Sequence, residues 1–249
     1  MDGVETQRIA IVTGAARNIG RAAALSLGQL GFDVVVHSGT DEAGAEETAR
    51  LVAADDVRAA VVLGDLTDKA TAAALVQAAR DLGTPAVLVN NAALRRAVAF
   101  EEMDLGEWRK VLAINLDAAF LCSRAVIGEM LAAGWGRIVN IGGLSGHAGA
   151  AGRAHVVTSK AALVGFSKAL AIEYAGRGVT ANCVVPGEIE TERGVSAGAR
   201  GQHPGKGPPP VGRRGRPDEV AAVIAHLCGP RSDYLTGQTF HVNGGAYLP

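Results

Sequence analysis

The chain predicts an α/β fold built on a doubly wound parallel sheet of about seven strands, with helices on both faces. Three observations lead there. Short runs rich in Val, Ile and Leu alternate with longer Ala-rich segments of helical period. Those short runs, such as Ile9-Ala-Ile-Val12, Val34-Val-Val36 and Ala86-Val-Leu-Val89, are apolar at consecutive positions, so both faces of each strand are covered. The length of 249 residues suits one domain of this class, taken here as 1–249. Right-handed crossovers fix the winding, and ligands of such sheets bind beyond the carboxyl ends of the strands, near the switch point.

In order, residues 8–13 read as a buried strand and 19–30 as a helix, with Gly31 as its stop. A second strand and helix cover 33–37 and 41–53. A third pair covers 58–63 and 68–82, with Asp68 as a cap. Strand four is 86–90, followed by one long helix over 105–133. Strand five is 137–141, a second long helix runs over 153–175, and strand six is 179–185. Segment 194–215 holds many glycines, a Pro208-Pro-Pro210 run and basic residues, and reads as a mobile substrate loop. A helix over 217–228 and a strand over 239–242 return to the same fold.

Charge is nearly balanced, 24 basic against 25 acidic residues, which argues against a nucleic-acid surface and against a polybasic membrane anchor. The first eight residues carry both charge signs, the apolar run 9–12 is too short for a signal-peptide core, and no stretch approaches the length of a bilayer span. Cys122, Cys183 and Cys228 are far apart and in no metal-ligand spacing, so they read as small buried residues of a reduced, cytoplasmic protein, with no metal site.

Strand one ends in Thr13-Gly-Ala-Ala-Arg-Asn-Ile-Gly20 and opens a helix, where small residues let the backbone approach a pyrophosphate at a positive helix terminus. Downstream come Gly64-Asp-Leu-Thr-Asp68, Asn90-Asn-Ala-Ala93, Ala113-Ile-Asn-Leu116, Pro186-Gly-Glu-Ile-Glu-Thr191, Leu235-Thr-Gly-Gln238 and Val242-Asn-Gly-Gly245. Over nearly its whole length the chain resembles the short-chain dehydrogenase/reductase family, in its 3-oxoacyl-carrier-protein-reductase-like branch. That resemblance implies a Rossmann-like sheet and a nicotinamide cofactor. It assigns the nucleotide to Gly14, Arg17, Asn18, Ile19 and Gly20 in the turn, and to Ser38, Asp65, Leu66, Asn91 and Ala92. Lys160, Pro186, Gly187, Ile189 and Thr191 complete the set. Asn18 replaces the middle glycine of the family turn, and asparagine tolerates a left-handed backbone. Strand two ends His37-Ser-Gly-Thr40 with no carboxylate before Asp41, and Arg17 could pair with a 2′-phosphate, so NADP(H) is preferred and NAD(H) remains possible.

The family's chemistry uses Ser, Tyr and Lys, with Asn holding a water relay. Asn115 and Lys160 match. The Tyr of Y-x-x-x-K becomes Val156, and the serine after strand five becomes Gly143; both departures agree on one register. Valine cannot move a proton, which costs about 10²–10⁴ in rate, yet positioning alone can still support hydride transfer to an imine, an activated alkene or a carbonyl. Ser145, His147, His155 and Thr158 are the polar candidates nearby. His155 is one residue from the Tyr position, about 100° around the helix, and is expected at a rim or interface; His147 is freer to enter the cleft.

A catalytically silent nucleotide binder or scaffold, or a lyase or cyclase on the same fold, are the competing readings. Arg95 and Arg96 at the cleft mouth, with Arg213, Arg214 and Arg216, could attract an anionic small-molecule substrate or a carrier, against the alternative of ordinary solvated charge. Arg177 resembles a basic residue of carrier-protein reductases, while Gly134 stands where another would be. The two long helices carry small residues on several faces, and the resemblance implies a homotetramer packed through them.

Overall fold

A computed structural model describes residues 7–192 and 209–249. Seven strands form one parallel sheet in the order β3-β2-β1-β4-β5-β6-β7. They are β1 (Arg8–Val12), β2 (Asp33–Ser38), β3 (Ala59–Leu63), β4 (Thr84–Asn90), β5 (Gly136–Ile141), β6 (Val179–Pro186) and β7 (Thr239–Val242). The helices are α1 (Asn18–Gln29), α2 (Glu42–Val52), α3 (Lys69–Leu82), α4 (Leu105–Leu112), α5 (Ala118–Ala133), α6 (Ser145–Ala148), α7 (Ala154–Tyr174) and α8 (Pro217–Cys228).

Alternation along the strands divides the core in two. Ala10 and Val12 of β1, with Val34 and Val36 of β2, pack under α1, α2 and α8 through Leu27, Val52, Ile224 and Leu227. Ile9, Ile11 and Val35 face the opposite way and meet α3, α5 and α7 through Leu75, Val126, Met130 and Ala171. Each fully buried aliphatic side chain of this kind contributes about 1.5–3 kcal/mol. All three cysteines are buried within this packing and unpaired. Burial pushes the thiols of Cys122, Cys183 and Cys228 up to about 12, 11 and 12.

The expected single helix over 105–133 is interrupted. Between α4 and α5 lies a wide π-helical turn, Ala113–Asp117, centred on Asn115. The side chain of Asn115 is caught from outside the helix, as described below, and such turns occur where a side chain is diverted to a site. Contrary to the reading of the sequence, the combined Leu105–Ala133 segment of 29 residues is long and apolar enough to cross a bilayer by length and composition alone. Here Val111, Cys122, Val126 and Met130 of that segment are buried in the protein core instead. The other departures are a few residues at element ends and the short helix α6.

The sheet order explains where a site can form. The chain runs outward from β1 through β2 to β3, then returns to place β4 on the other side of β1. The connections leaving β1 and β4 therefore part in opposite directions and open a crevice beyond their carboxyl ends.

Candidate active site

One cleft of about 570 Å³ occupies that crevice. It runs from Ser38, Asp41 and Asp65 at one end, past the turn after β1, to Gly143, Ser145, Val156 and Lys160 at the other.

The turn is held by its neighbours rather than by itself. Gly14 has φ +62°, and a Cβ there would stand 2.9 Å from Cα of Ala92, so both backbone angle and space require glycine. Asn91 Nδ2 donates to the carbonyls of Thr13 and Gly14, each at 2.9 Å. Thr13 Oγ1 accepts from the backbone N–H groups of Asn91 and Ala92. His37, which the sequence reading passed over, closes the third side. Its Nδ1 accepts from Gly14 N at 3.2 Å, and its Nε2 lies 3.0 Å from the Gly64 carbonyl. A ring accepting at Nδ1 and donating at Nε2 is neutral, and burial holds its pKa below the ordinary histidine value.

Asn18 has φ 52°, the left-handed conformation expected of a residue in place of glycine. Its side chain also bridges the cleft: Nδ2 donates to the carbonyl of Glu192, and Oδ1 accepts from Glu192 N, both at 2.9 Å. The segment after β6, which carries Pro186, Gly187, Ile189 and Thr191 along the cleft wall, is thereby tied to the turn.

Helix α1 begins at the cleft with no side-chain cap and no acid in its first turn. By contrast, α2, α3 and α4 are each capped by an aspartate, Asp41, Asp68 and Asp104. Exposed N–H groups at a positive helix end, under a glycine turn, fit a bound pyrophosphate. Beyond the turn, Arg17 pairs with Asp41 at 3.1 Å, and Asp41 N donates to Ser38 Oγ. Asp65 accepts from the backbone and hydroxyl of Thr67. Ile19, Gly20, Leu66 and Ala92 also line the cleft. These residues can hold a dinucleotide along one continuous groove.

At the other end Lys160 is buried, and its Nζ donates to the Ile141 carbonyl at 2.6 Å. Burial, helped by the nearby charge of Arg95, lowers its pKa to about 8. Val156 lies one helical turn before it on α7 and lines the cleft. A Cβ on Gly143 would meet Lys160 Cγ at 3.6 Å and Ser145 Oγ at 3.9 Å, which are ordinary contacts. Asn115 is buried behind this wall: its Oδ1 accepts from Leu94 N, and its Nδ2 donates to the Leu94 carbonyl and to Ser159 Oγ.

The two histidine candidates do not line the cleft. His155 is fully buried; its Nδ1 accepts from Val156 N, and its Nε2 lies 3.6 Å from Glu107 of α4. Its position a residue away from Val156 swings the ring toward α4, into the protein rather than to a rim. His147, expected to be free to turn inward, packs its ring at 4.6 Å from that of His241 and at 5.6 Å from that of Tyr247. The short helix α6, absent from the sequence reading, fixes it there. Thr158 is exposed and also outside the cleft. Of the polar candidates, Ser145 and Lys160 share the chamber.

The basic residues separate in the same way. Arg96 pairs with Glu107, Arg213 with Glu219, Arg214 with Glu188 and Arg216 with Asp218. Arg177 lies over the ring of Tyr174. Arg95 lines the cleft, and so does Arg153, a buried residue that no motif marked. Segment 194–215 lies outside the described residues up to 208; its end returns to the site wall, where Gly215 N donates to Glu188 O and Glu190 N to Gly215 O.

A parallel sheet of this order with a glycine turn, an Asn-clamped strand end and a buried lysine on the helix after β5 defines a dinucleotide-type α/β protein. Residues 14–247 match the family described as enoyl-(acyl carrier protein) reductase, and the chain belongs to the short-chain dehydrogenase/reductase family of oxidoreductases. It is similar to the 3-oxoacyl-[acyl-carrier-protein] reductase of Pseudomonas aeruginosa, with 40% identity over 242 residues, 97% of this chain and 98% of that protein. It is also similar to the reductase of the same name from Escherichia coli K12, at 38% over 248 residues, with shares of 97% and 98%. Among solved structures it resembles an acetoin dehydrogenase from Salmonella typhimurium, TM-score 0.85 at 33% identity over 96% of each chain. A second is a putative oxidoreductase from Escherichia coli K-12, TM-score 0.86 at 36% identity, again over 96% of each chain.

Proposed function

We propose that this chain is an oxidoreductase that prefers NADP(H) over NAD(H) and reduces an imine, an activated alkene or a carbonyl without the family's serine and tyrosine. The observation that carries this is the single groove joining the uncapped start of α1 to the buried Lys160. Bound there, the reduced nicotinamide supplies a hydride to the acceptor carbon.

The residues of the chain then have limited tasks. The turn of Gly14–Gly20 and the Asn18 bridge orient the phosphates. Asp65 and Leu66 border the adenine end, while Arg17 and Ser38 stand where a 2′-phosphate would lie; such a phosphate competes with Asp41 for Arg17. Lys160 holds the nicotinamide ribose with an ammonium that stays mostly charged at neutral pH. Gly143 and Val156 occupy the family's Ser and Tyr positions, so the proton that follows the hydride comes from water or through Ser145. An iminium acceptor needs no such proton at the moment of transfer, and an activated alkene can take it later at carbon.

The same two positions favour a second reading, a catalytically silent nucleotide binder. Absorbance of the reduced nicotinamide, followed against panels of ketones, imines and enones, separates the two. Turnover with one class is expected; tight NADPH binding with no turnover in any class leaves the silent reading. Failure to bind NADPH and NADH removes both. A homotetramer in the cytoplasm completes the proposal. It is supported by Phe120 on α5 and Ile172 on α7, 52% and 89% exposed, and by Gly128 and Gly165, where no atom lies within 4 Å of a would-be Cβ.

A further inference from the structure

We infer that Asn18 is a positioning residue that controls nucleotide exchange: by holding the backbone of Glu192, its amide closes the groove at the start of α1, and the dinucleotide enters and leaves when that bridge opens. This rests on the oxidoreductase reading for the identity of the ligand and adds how that ligand comes and goes.

The segment that follows β6 is fastened along most of its length. Leu144 N donates to the Pro186 carbonyl at 3.1 Å, and Gly187 N to the Val242 carbonyl at 2.9 Å. Ile189 then pairs with Gly215 in a parallel bridge, with Glu190 N on Gly215 O at 2.8 Å and Gly215 N on Glu188 O at 2.9 Å. The Arg214–Glu188 pair adds a contact at 3.4 Å. These ties end at Glu190. Among the described residues, Asn18 is the one group that bonds residue 191 or 192. The far end of the segment is therefore an arm with one fastening.

That fastening has a defined chemistry. Asn18 Nδ2 donates to Glu192 O while Oδ1 accepts from Glu192 N, both at 2.9 Å, so one planar amide pairs with the backbone of Glu192 as a neighbouring strand would. A glycine here, as in the family turn, has no side chain to make the pair. Asparagine is among the few other residues that hold the φ of 52° found at this position. The bridge is exposed, so water competes for both bonds and the arm can be released.

Its place decides what it controls. Asn18 is the first residue of α1, and Gly14, Ile19 and Gly20 line the groove around it. Ser38 and Asp65 lie toward one end of the groove and Val156 and Lys160 toward the other, so the bridge crosses between them. A dinucleotide is narrow at its pyrophosphate and broad at its two ring-bearing ends, and a ligand of that shape cannot slide lengthwise past a closed strap. The bridge needs only groups of the chain, so it opens for entry as well as for exit. A gate of this kind slows association and dissociation together, whereas a side chain that simply touches the ligand acts mainly on dissociation.

The test compares the full chain with Asn18→Gly, which carries the family's residue at a backbone angle glycine adopts freely. Stopped-flow fluorescence of NADPH gives the association rate constant, and displacement of bound NADPH by excess NADP⁺ gives the dissociation rate constant; NADH, where it binds more tightly, takes the place of NADPH. Both constants should rise by about tenfold in Asn18→Gly, the order expected from losing two exposed hydrogen bonds, while their ratio, Kd, changes far less. Adenosine 2′,5′-bisphosphate lacks the nicotinamide half and need not pass the strap; its Kd by calorimetry should be the same in both chains. An association rate constant that stays at the wild-type value, whether or not dissociation quickens, overturns the inference and leaves the oxidoreductase reading standing. An equal loss of affinity for NADPH and for the bisphosphate does the same, because it makes Asn18 an ordinary contact of the phosphates. Failure of both NADPH and NADH to bind the unaltered chain overturns both.

Discussion

The two ends of this cleft are built on different principles. At the nucleotide end the side chains that brace the turn have fixed partners: Asn91 on two carbonyls, Thr13 on two N–H groups, His37 on Gly14. Residue identity there is dictated by backbone angle and close approach. At the reactive end close approach fixes Gly146, whose Cβ would stand 2.8 Å from Ala161 N, but it does not fix Gly143. Gly143 has room for a larger residue, and the buried Val156 borders the cleft. Substitutions at the first end disturb the fold, whereas substitutions at the second change chemistry while the fold persists. That asymmetry is how a family scaffold can keep its nucleotide site and exchange its proton donor.

The largest effect expected from breaking this contrast is at the reactive end. Gly143→Ser together with Val156→Tyr should raise reduction of a simple ketone ester by about 10²–10⁴, the usual value of a positioned general acid. The serine fits because its Cβ meets Lys160 Cγ and Cδ and Ser145 Oγ at no less than 3.6 Å, ordinary van der Waals distance. The tyrosine extends from α7 into the cleft that Val156 lines. Steady-state rates with NADPH measure the gain. An unchanged baseline in a folded variant that binds NADPH would show that these two positions are not those of the family's serine and tyrosine.

A smaller, purely structural loss is expected at the other end. Gly14→Ala places a Cβ 2.9 Å from Cα of Ala92 at a backbone angle that L-residues avoid. Overpacking of this kind costs about 1–3 kcal/mol. Thermal melting should record the destabilisation, and titration with NADPH should record weaker binding, because the turn can no longer close on Asn91. Gly143→Ala, the matched control, should move the melting temperature little. Equal losses at Gly14 and Gly143 would erase the distinction between the two ends.

The same contrast decides what the sequence could tell. The turn, the strand ends and the Asp68 cap were readable because each rests on local backbone chemistry: glycine at a positive φ, Asn18 able to take its place, and an aspartate at a helix start. The interruption at Asn115 was not readable, because its cause is a tertiary contact to Leu94 and Ser159 from outside the helix. For the histidines, angular spacing along α7 turned His155 away from the cleft. Only packing could show it buried against Glu107, or His147 held by His241 nearly a hundred residues away in sequence. Arg153 escaped notice because it belongs to no motif; its one sequence signal is a cation just ahead of the helix that carries Val156 and Lys160.

The histidines supply the smallest and most discriminating effect. His37 belongs to the nucleotide end, while His147 and His241 pack together behind the reactive end. Burial lowers the pKa of all three below the ordinary 6.5, opposed at His37 by the Gly64 carbonyl and Asp65, and reinforced at His241 by His147. A base whose pKa is lower folded than unfolded favours the folded state in full above the unfolded value. That stability is lost as pH falls below about 6.5 toward the folded pKa, with a limit of about 1.4 kcal/mol per pH unit for each group. The surface carboxylates with lowered values, Glu47, Asp218 and Glu219, start from 4.5, 3.8 and 4.5 and act only at lower pH. Lys160, with its pKa lowered to about 8, contributes at higher pH, so melting temperatures between pH 6.5 and 5.5 report mainly on the histidines, and a decline is expected across that window. In a His147→Leu/His241→Leu variant the decline should become shallower, leaving the part owed to His37. Saturating NADPH, by fixing the turn that His37 supports, should raise the melting temperature across the range. An undiminished slope in the double variant would mean that the rings behind the reactive end do not titrate with folding, and that His37 carries the dependence alone.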